Sequence, residues 1–294
     1  MAFKLKVKNL VTQLDIVTKG FTTSKMTGNY KSAFKGSGLE FDGFRKYMPE
    51  DDSSLIDWKA SVRTNGLLIK EFKEERNLNI YFLFDVSTSM LFGSTERLKN
   101  QYGAELIASL SYASMQNDDS IGIGMFNDKI VRGIKPQSGE KQYYFLLGAL
   151  TNSKLYGGRY DLNKALDFTL QFLEGSSLLF IVSDFIGLQK GWEKYIKKVS
   201  AKFDVIALMV RDPRDRELPE DVGDVVVEDP YGSEKLSLHP KSISKKYSKY
   251  VKKQEYQLEE VFKKAGSEFL SLSTDKDFVN PLIKMFARRE QKFR

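Results

Sequence analysis

Cysteine is absent from the 294 residues, and histidine occurs once, at His239. The first absence excludes disulfides, thiolate metal sites and cysteine nucleophiles; the second excludes any centre built on two imidazoles. A Ser-His-Asp triad would have to use His239, yet no G-x-S-x-G turn accompanies it. Nor is there a G-x-x-x-x-G-K-[ST] loop, so the chain is not expected to hydrolyse ATP itself. No apolar run reaches the ~18 residues of a membrane span, and Lys4, Lys6 and Lys8 interrupt the N-terminus at once. A soluble, cytoplasmic protein is the expectation.

What is present is core-forming material. Hydrophobic residues make up 41% and aromatics 13% of the chain, a globular rather than a disordered composition. An excess of 46 basic over 39 acidic residues gives a mildly basic surface, compatible with an acidic protein, nucleic acid or an anionic membrane. Charge alone selects none of these.

The most informative stretch is IYFLFDVSTSM, Ile80–Met90. Ile80 to Phe84 is a continuous apolar run of strand length, as a strand buried on both faces requires, and it ends in the carboxylate of Asp85. The C-terminal ends of parallel strands are where open α/β sheets bind ligands. Asp85, Ser87 and Ser89 bring oxygens toward one point, the donor type that hard cations such as Mg²⁺ prefer; a polar turn that caps the next helix has the same pattern. A second apolar strand, Ser177 to Val182, also ends in a hydroxyl and a carboxylate, Ser183 and Asp184, with the loop LYGGRY and a helix from Asp161 to Leu173 before it. Two strand ends thus offer carboxylates to one crevice.

The rest of the chain fits around this pair. A helix is predicted over Lys6 to Lys19, followed by a loop from Gly20 to Gly38. Gly36 to Arg76 interleaves Phe41, Phe44, Tyr47, Trp58 and Phe72 with charges, which reads as a small β-rich annex or a docking surface. Helices are predicted over Thr95 to Met115, capped by Ser94 or Thr95, over Lys141 to Leu150 and over Trp192 to Phe203. Strands are predicted over Ser120 to Phe126, Ile130 to Ile134, Asp204 to Val210, Asp224 to Val227 and Ser267 to Leu272. Lys235 to Lys264, with nine Lys and no Arg, reads as one long basic helix, and Asp275 to Arg294 as a closing one. This alternation gives an α/β fold: a doubly wound, mostly parallel sheet flanked by helices, with one antiparallel hairpin and the small N-terminal annex.

The order strand, D-x-S-x-S, helix, Gly-rich loop, helix, strand ending in Asp resembles a von Willebrand factor A domain with its metal-ion-dependent adhesion site. The stretches FRKYMPEDD, IDWKASVRT and LLIKEFKEER are similar to the signature of the domain-of-unknown-function-58 family, although Glu50, Ser54 and Leu55 depart from its usual residues. The resemblance implies that Ser87 and Ser89 ligate a metal directly and that Asp85 and Asp184 act through bound water. Tyr160 falls where a Thr is usual, and the Arg159 guanidinium beside it offers an alternative to Mg²⁺ or another divalent cation. It divides the chain into residues 1–76, helix and annex; 77–234, the von Willebrand factor A-like domain; and 235–294, a basic helical region that completes it.

The resemblance also implies a non-enzymatic, protein-binding role beside a MoxR-type AAA+ ATPase in assembly or maturation. Two other classes compete. Lys235 to Lys264 and the tail from Arg288 suit nucleic acid or an anionic surface. A metal-dependent hydrolase is disfavoured because the second acid of a haloacid-dehalogenase site is here Ser87.

Overall fold

The computed structural model describes residues 40–48, 51–64, 66–73, 78–219, 222–232 and 234–293; the helix expected over Lys6 to Lys19 and the loop to Gly38 lie outside them. Two compact units result, Phe34–Leu78 and the unit formed mainly by Asn79–Arg294.

In the smaller unit, β1 (Glu40–Lys46) pairs antiparallel with β2 (Leu68–Lys73), and the short helix α1 (Trp58–Thr64) lies between them in sequence. Asp57 caps α1 by accepting the Ala60 N–H at 3.0 Å, while Ser61 Oγ accepts the Leu68 N–H at 2.8 Å and ties helix to strand. Arg45 grips Asp51 with two bonds of 2.7 and 2.6 Å and holds its carboxyl down at about 2.

The larger unit is built on a six-stranded sheet of order β10-β7-β6-β3-β4-β5. Its strands are β3 (Asn79–Asp85), β4 (Ser120–Phe126), β5 (Ile130–Gln137), β6 (Leu178–Ser183), β7 (Asp204–Arg211) and β10 (Glu268–Ser273). All neighbours are parallel except β4 and β5. β3 lies centrally, and Ile80 to Phe84 are fully buried because helices cover both faces.

One face packs Tyr81, Leu83, Ile181, Ala207 and Met209 under α4 (Leu162–Phe172), α5 (Trp192–Lys202) and α6 (Pro240–Lys264). On the other, Phe82 stacks on Phe180 at 5.3 Å beneath α2 (Lys99–Met115), with α3 (Glu140–Leu150) packed beside it. Gly103 lets α2 approach closely, since a Cβ there would stand 2.7 Å from the Phe84 ring. The chain ends in α7 (Val279–Phe293), against β10.

Two expectations are corrected. Lys235–Leu238 is not helical but forms β9, the antiparallel partner of β8 (Val225–Glu228). Pro240 at the first helical position fixes where α6 begins, as its missing N–H and fixed φ favour. Neither Ser94 nor Thr95 caps α2, which starts at Lys99. Ser94 instead gives its N–H and O–H to Asp212, at 2.7 and 2.5 Å.

A closed notch at the C-terminal edge of the sheet

β3 and β6 are adjacent and in register, so Asp85 and Asp184 leave the sheet side by side and fully buried. The loop after β3 turns back on itself: Asp85 Oδ1 accepts the Ser87 N–H at 2.9 Å, and the Ser87 and Ser89 hydroxyls lie 3.3 Å apart. Asp85 Oδ2 accepts the Ser183 O–H at 2.7 Å. Thr88 joins the Gly157–Gly158 loop, its N–H and O–H both reaching the Gly158 carbonyl. The residues that the sequence nominated therefore converge: Asp85, Ser87, Ser89, Asp184 and Tyr160, whose phenol stands 3.3 Å from Ser183 Oγ.

Three more groups complete the arrangement, two of them, Lys99 and Tyr231, not nominated by the sequence and the third, Ser183, noted there only as a strand end. Lys99, 1% exposed, donates to Asp184 Oδ2 at 2.7 Å and to Asp215 Oδ2 at 2.9 Å. Burial alone would push its ammonium down, but the two carboxylates more than offset that and raise it. Tyr231, in the turn between β8 and β9, lays its phenol oxygen 3.0 Å from Ser87 Oγ, 2.8 Å from Ser89 Oγ and 3.2 Å from the Ile186 carbonyl. Its ring stacks on Tyr160 at 6.4 Å and rests on Gly187, where a Cβ would stand 2.7 Å from it. Ser183 is the third, bridging from β6 to β3. Arg159 is exposed on its loop; the cation against Asp184 is Lys99.

Burial and the neighbouring Asp184 push the Asp85 carboxyl up to about 7. Burial and Asp85 raise the Tyr160 phenol, which stays neutral. The segment after Asp184 is strained: Phe185 adopts φ +53°, rare outside glycine, while its N–H is taken by Ser183 Oγ at 2.9 Å.

A divalent ion needs hydroxyl lone pairs facing open space and carboxylates free to receive its bound water. Here the Tyr231 phenol lies over both hydroxyls, the Lys99 ammonium occupies one Asp184 oxygen and the Ile186 N–H the other, at 2.9 Å. Both Asp85 oxygens also have donors. As arranged, the residues do not fit Mg²⁺ or a similar ion, and among the described residues no cluster of three or more Asp, Glu or His could hold one.

The sheet order, the flanking helices and a notch assembled where β3 and β6 end define a von Willebrand factor A-like protein. Residues 43–257 match the family described as "Protein of unknown function DUF58", and the chain belongs to that family. It is 24% identical over 282 residues to the uncharacterized protein Rv1480 of Mycobacterium tuberculosis, covering 95% of this chain and 88% of that one. The uncharacterized protein YeaD of Bacillus subtilis is 27% identical over 104 residues, 35% of this chain and 24% of its own. Among solved structures, the conserved hypothetical protein BatB of Bacteroides thetaiotaomicron superposes with a TM-score of 0.50 at 13% identity, over 73% of this chain and 98% of that one. That likeness concerns the fold alone.

Proposed function

We propose that this protein is a non-enzymatic protein-binding module of the cytoplasm, in which the notch acts as an internally neutralised brace for the rim that meets a partner. The observation that carries the reading is that the notch's chemical groups are sealed. Asp85, Ser87, Ser89 and Asp184 are all buried, with Tyr231 over the two serines, so none of these four groups stands open to a substrate. The hairpin that carries Tyr231 offers exposed apolar side chains for contact: Val226 and Leu236 are 66% and 61% exposed. Lys99 supplies the positive charge beside Asp184, and binding needs no divalent ion.

The partner class is the one that the family resemblance implies, a MoxR-type AAA+ ATPase. The test is fluorescence anisotropy of the labelled full chain against a purified ATPase of that class, with and without EDTA. Saturable binding that survives EDTA and weakens in Val226→Asp supports the reading. Binding that requires added Mg²⁺ overturns the metal-free notch, and no binding overturns the partner.

A second reading has its own observation. Lys241, Lys245, Lys246, Lys249, Lys252 and Lys253 occupy the N-terminal part of α6 with no carboxylate among them, while Glu255, Glu259 and Glu260 follow. This is the reverse of what the helix dipole favours, so the charge has a use other than stabilising the helix. Salt-dependent binding of nucleic acid or anionic vesicles would favour that use, and its absence at low salt removes it.

A further inference from the structure

Arg211 is the last residue of β7 and alternates in step with Val205, Ala207 and Met209, whose side chains pack toward α5 and α6. It is only 6% exposed, and its buried Nε has no hydrogen-bond partner. Among the described residues no carboxylate pairs with its guanidinium. The acids that follow it are already engaged: Asp212 receives Ser94, Arg214 and Thr274, and Asp215 receives Lys99 and the Asp212 N–H. The buried Arg289 shows the ordinary solution, with ion pairs to Asp204 and Glu268. An arginine Nε taken out of water without an acceptor is costly, and no carboxylate balances the Arg211 charge as Asp204 and Glu268 balance that of Arg289.

Arg211 also lines an open cavity of about 910 Å³ between the segment after Asp184 and α6. Phe185, Leu188 and Trp192 form its apolar side, Gln257 and Lys264 add polar groups from α6, and Glu193 and Glu260 stand on its wall. A planar guanidinium is shaped to take a carboxylate through two parallel bonds, and apolar walls around one charged anchor are the usual make-up of a ligand site. The two glutamates oppose a dianion such as phosphate more than a single carboxylate.

We infer that this cavity binds an acidic peptide segment of another protein, with one of its Asp or Glu carboxylates seated on Arg211 and an adjoining apolar side chain against Phe185 and Trp192. The site rests on Arg211 and not on the closed notch, so it stands whether or not the partner is an AAA+ ATPase.

The test uses the full chain carrying Trp58→Phe, which leaves Trp192 as its sole tryptophan, and three probes: acetyl-Leu-Glu-Leu-amide, its Gln counterpart and inorganic phosphate. Trp192 fluorescence and the Arg211 Nε–H resonance are followed together. The expected result is saturation of both signals by the Glu peptide, at least tenfold weaker binding of the Gln peptide, and loss of that preference in Arg211→Gln. Equal response to the Glu and Gln peptides overturns the proposal, as does no response to either at 20 mM. Phosphate binding more tightly than the Glu peptide overturns the carboxylate assignment. If Arg211→Gln does not fold, the Nε–H shift in the arginine-bearing protein decides alone.

Discussion

In the six-stranded unit, Asp85, Lys99 and Asp184 lie out of water, whereas in the small unit Trp58 and Val62 stand 65% and 79% exposed. Charge is inside at the centre of the six-stranded sheet, and a tryptophan and a valine are outside in the two-stranded unit. The difference is one of what each unit can bury. A central strand with helices on both faces leaves its last carboxylate no route to solvent, so a counter-charge must come from within. Among the described residues, the two-stranded ribbon with one short helix offers no second layer to hide a tryptophan. Buried ions in the first unit are therefore stability determinants, and Trp58 and Val62 in the second are exposed to serve contacts.

The severest way to break this contrast is to remove the internal cation. Lys99→Met leaves Asp184 and Asp215 without their shared ammonium and is expected to cost about 3–5 kcal/mol in urea unfolding. Adding Asp184→Asn should recover part of that loss.

Neutralising the other carboxylate has the opposite sign. Because the folded state raises the Asp85 carboxyl to about 7, its contribution to stability is full below pH 4 and is lost as pH rises through 7. Asp85→Asn can keep the Ser87 N–H bond through its oxygen and donate to Ser183 Oγ. Thermal unfolding should show the variant gaining on the parent from pH 4 to 7 and holding a constant advantage above pH 8. The full gain is on the order of 4 kcal/mol, from a rise of about three pKa units at about 1.4 kcal/mol each.

Tyr231→Phe keeps the ring on Gly187 and Tyr160 but removes the hydroxyl that bridges Ser87 and Ser89. A loss of about 1 kcal/mol is expected, with faster proteolysis within Val225–Leu238, the segment Tyr231 anchors. The smallest effect belongs to the other unit. Val62→Ser should change stability by less than about 0.5 kcal/mol by chemical denaturation. A larger loss would show that Val62 is covered in solution and would weaken the contrast.

How far these features could be read from the chain follows from the range of the interactions. β3 and β6 were legible because strands buried on both faces give unbroken apolar runs, IYFLF and LLFIV, each stopped by a serine or an acid. Asp85 and Asp184 followed from those stops. Lys99 did not, because a lysine opening a helix looks like a solvated one, and its partners lie 85 and 116 residues further on. The one local clue is its position: a cation in the first turn opposes the helix dipole and calls for a nearby acid. β9 was hidden by composition, since Lys235 and Leu236 continue the lysine-rich pattern of α6, and only Pro240 marks the boundary. Tyr231 sits in a Pro-Tyr-Gly turn that announces the bend but not what its side chain reaches.

The notch draws on stretches scattered from Asp85 to Tyr231, and this sets an order of events at the ribosome. Asp85, Lys99 and Asp184 emerge long before Asp215 and Tyr231, so a nascent sheet first holds an incompletely compensated ion pair and uncovered serines. Closure waits for the last third of the chain, and a ribosome stalled before Tyr231 should display an intermediate that chaperones bind and the finished protein does not.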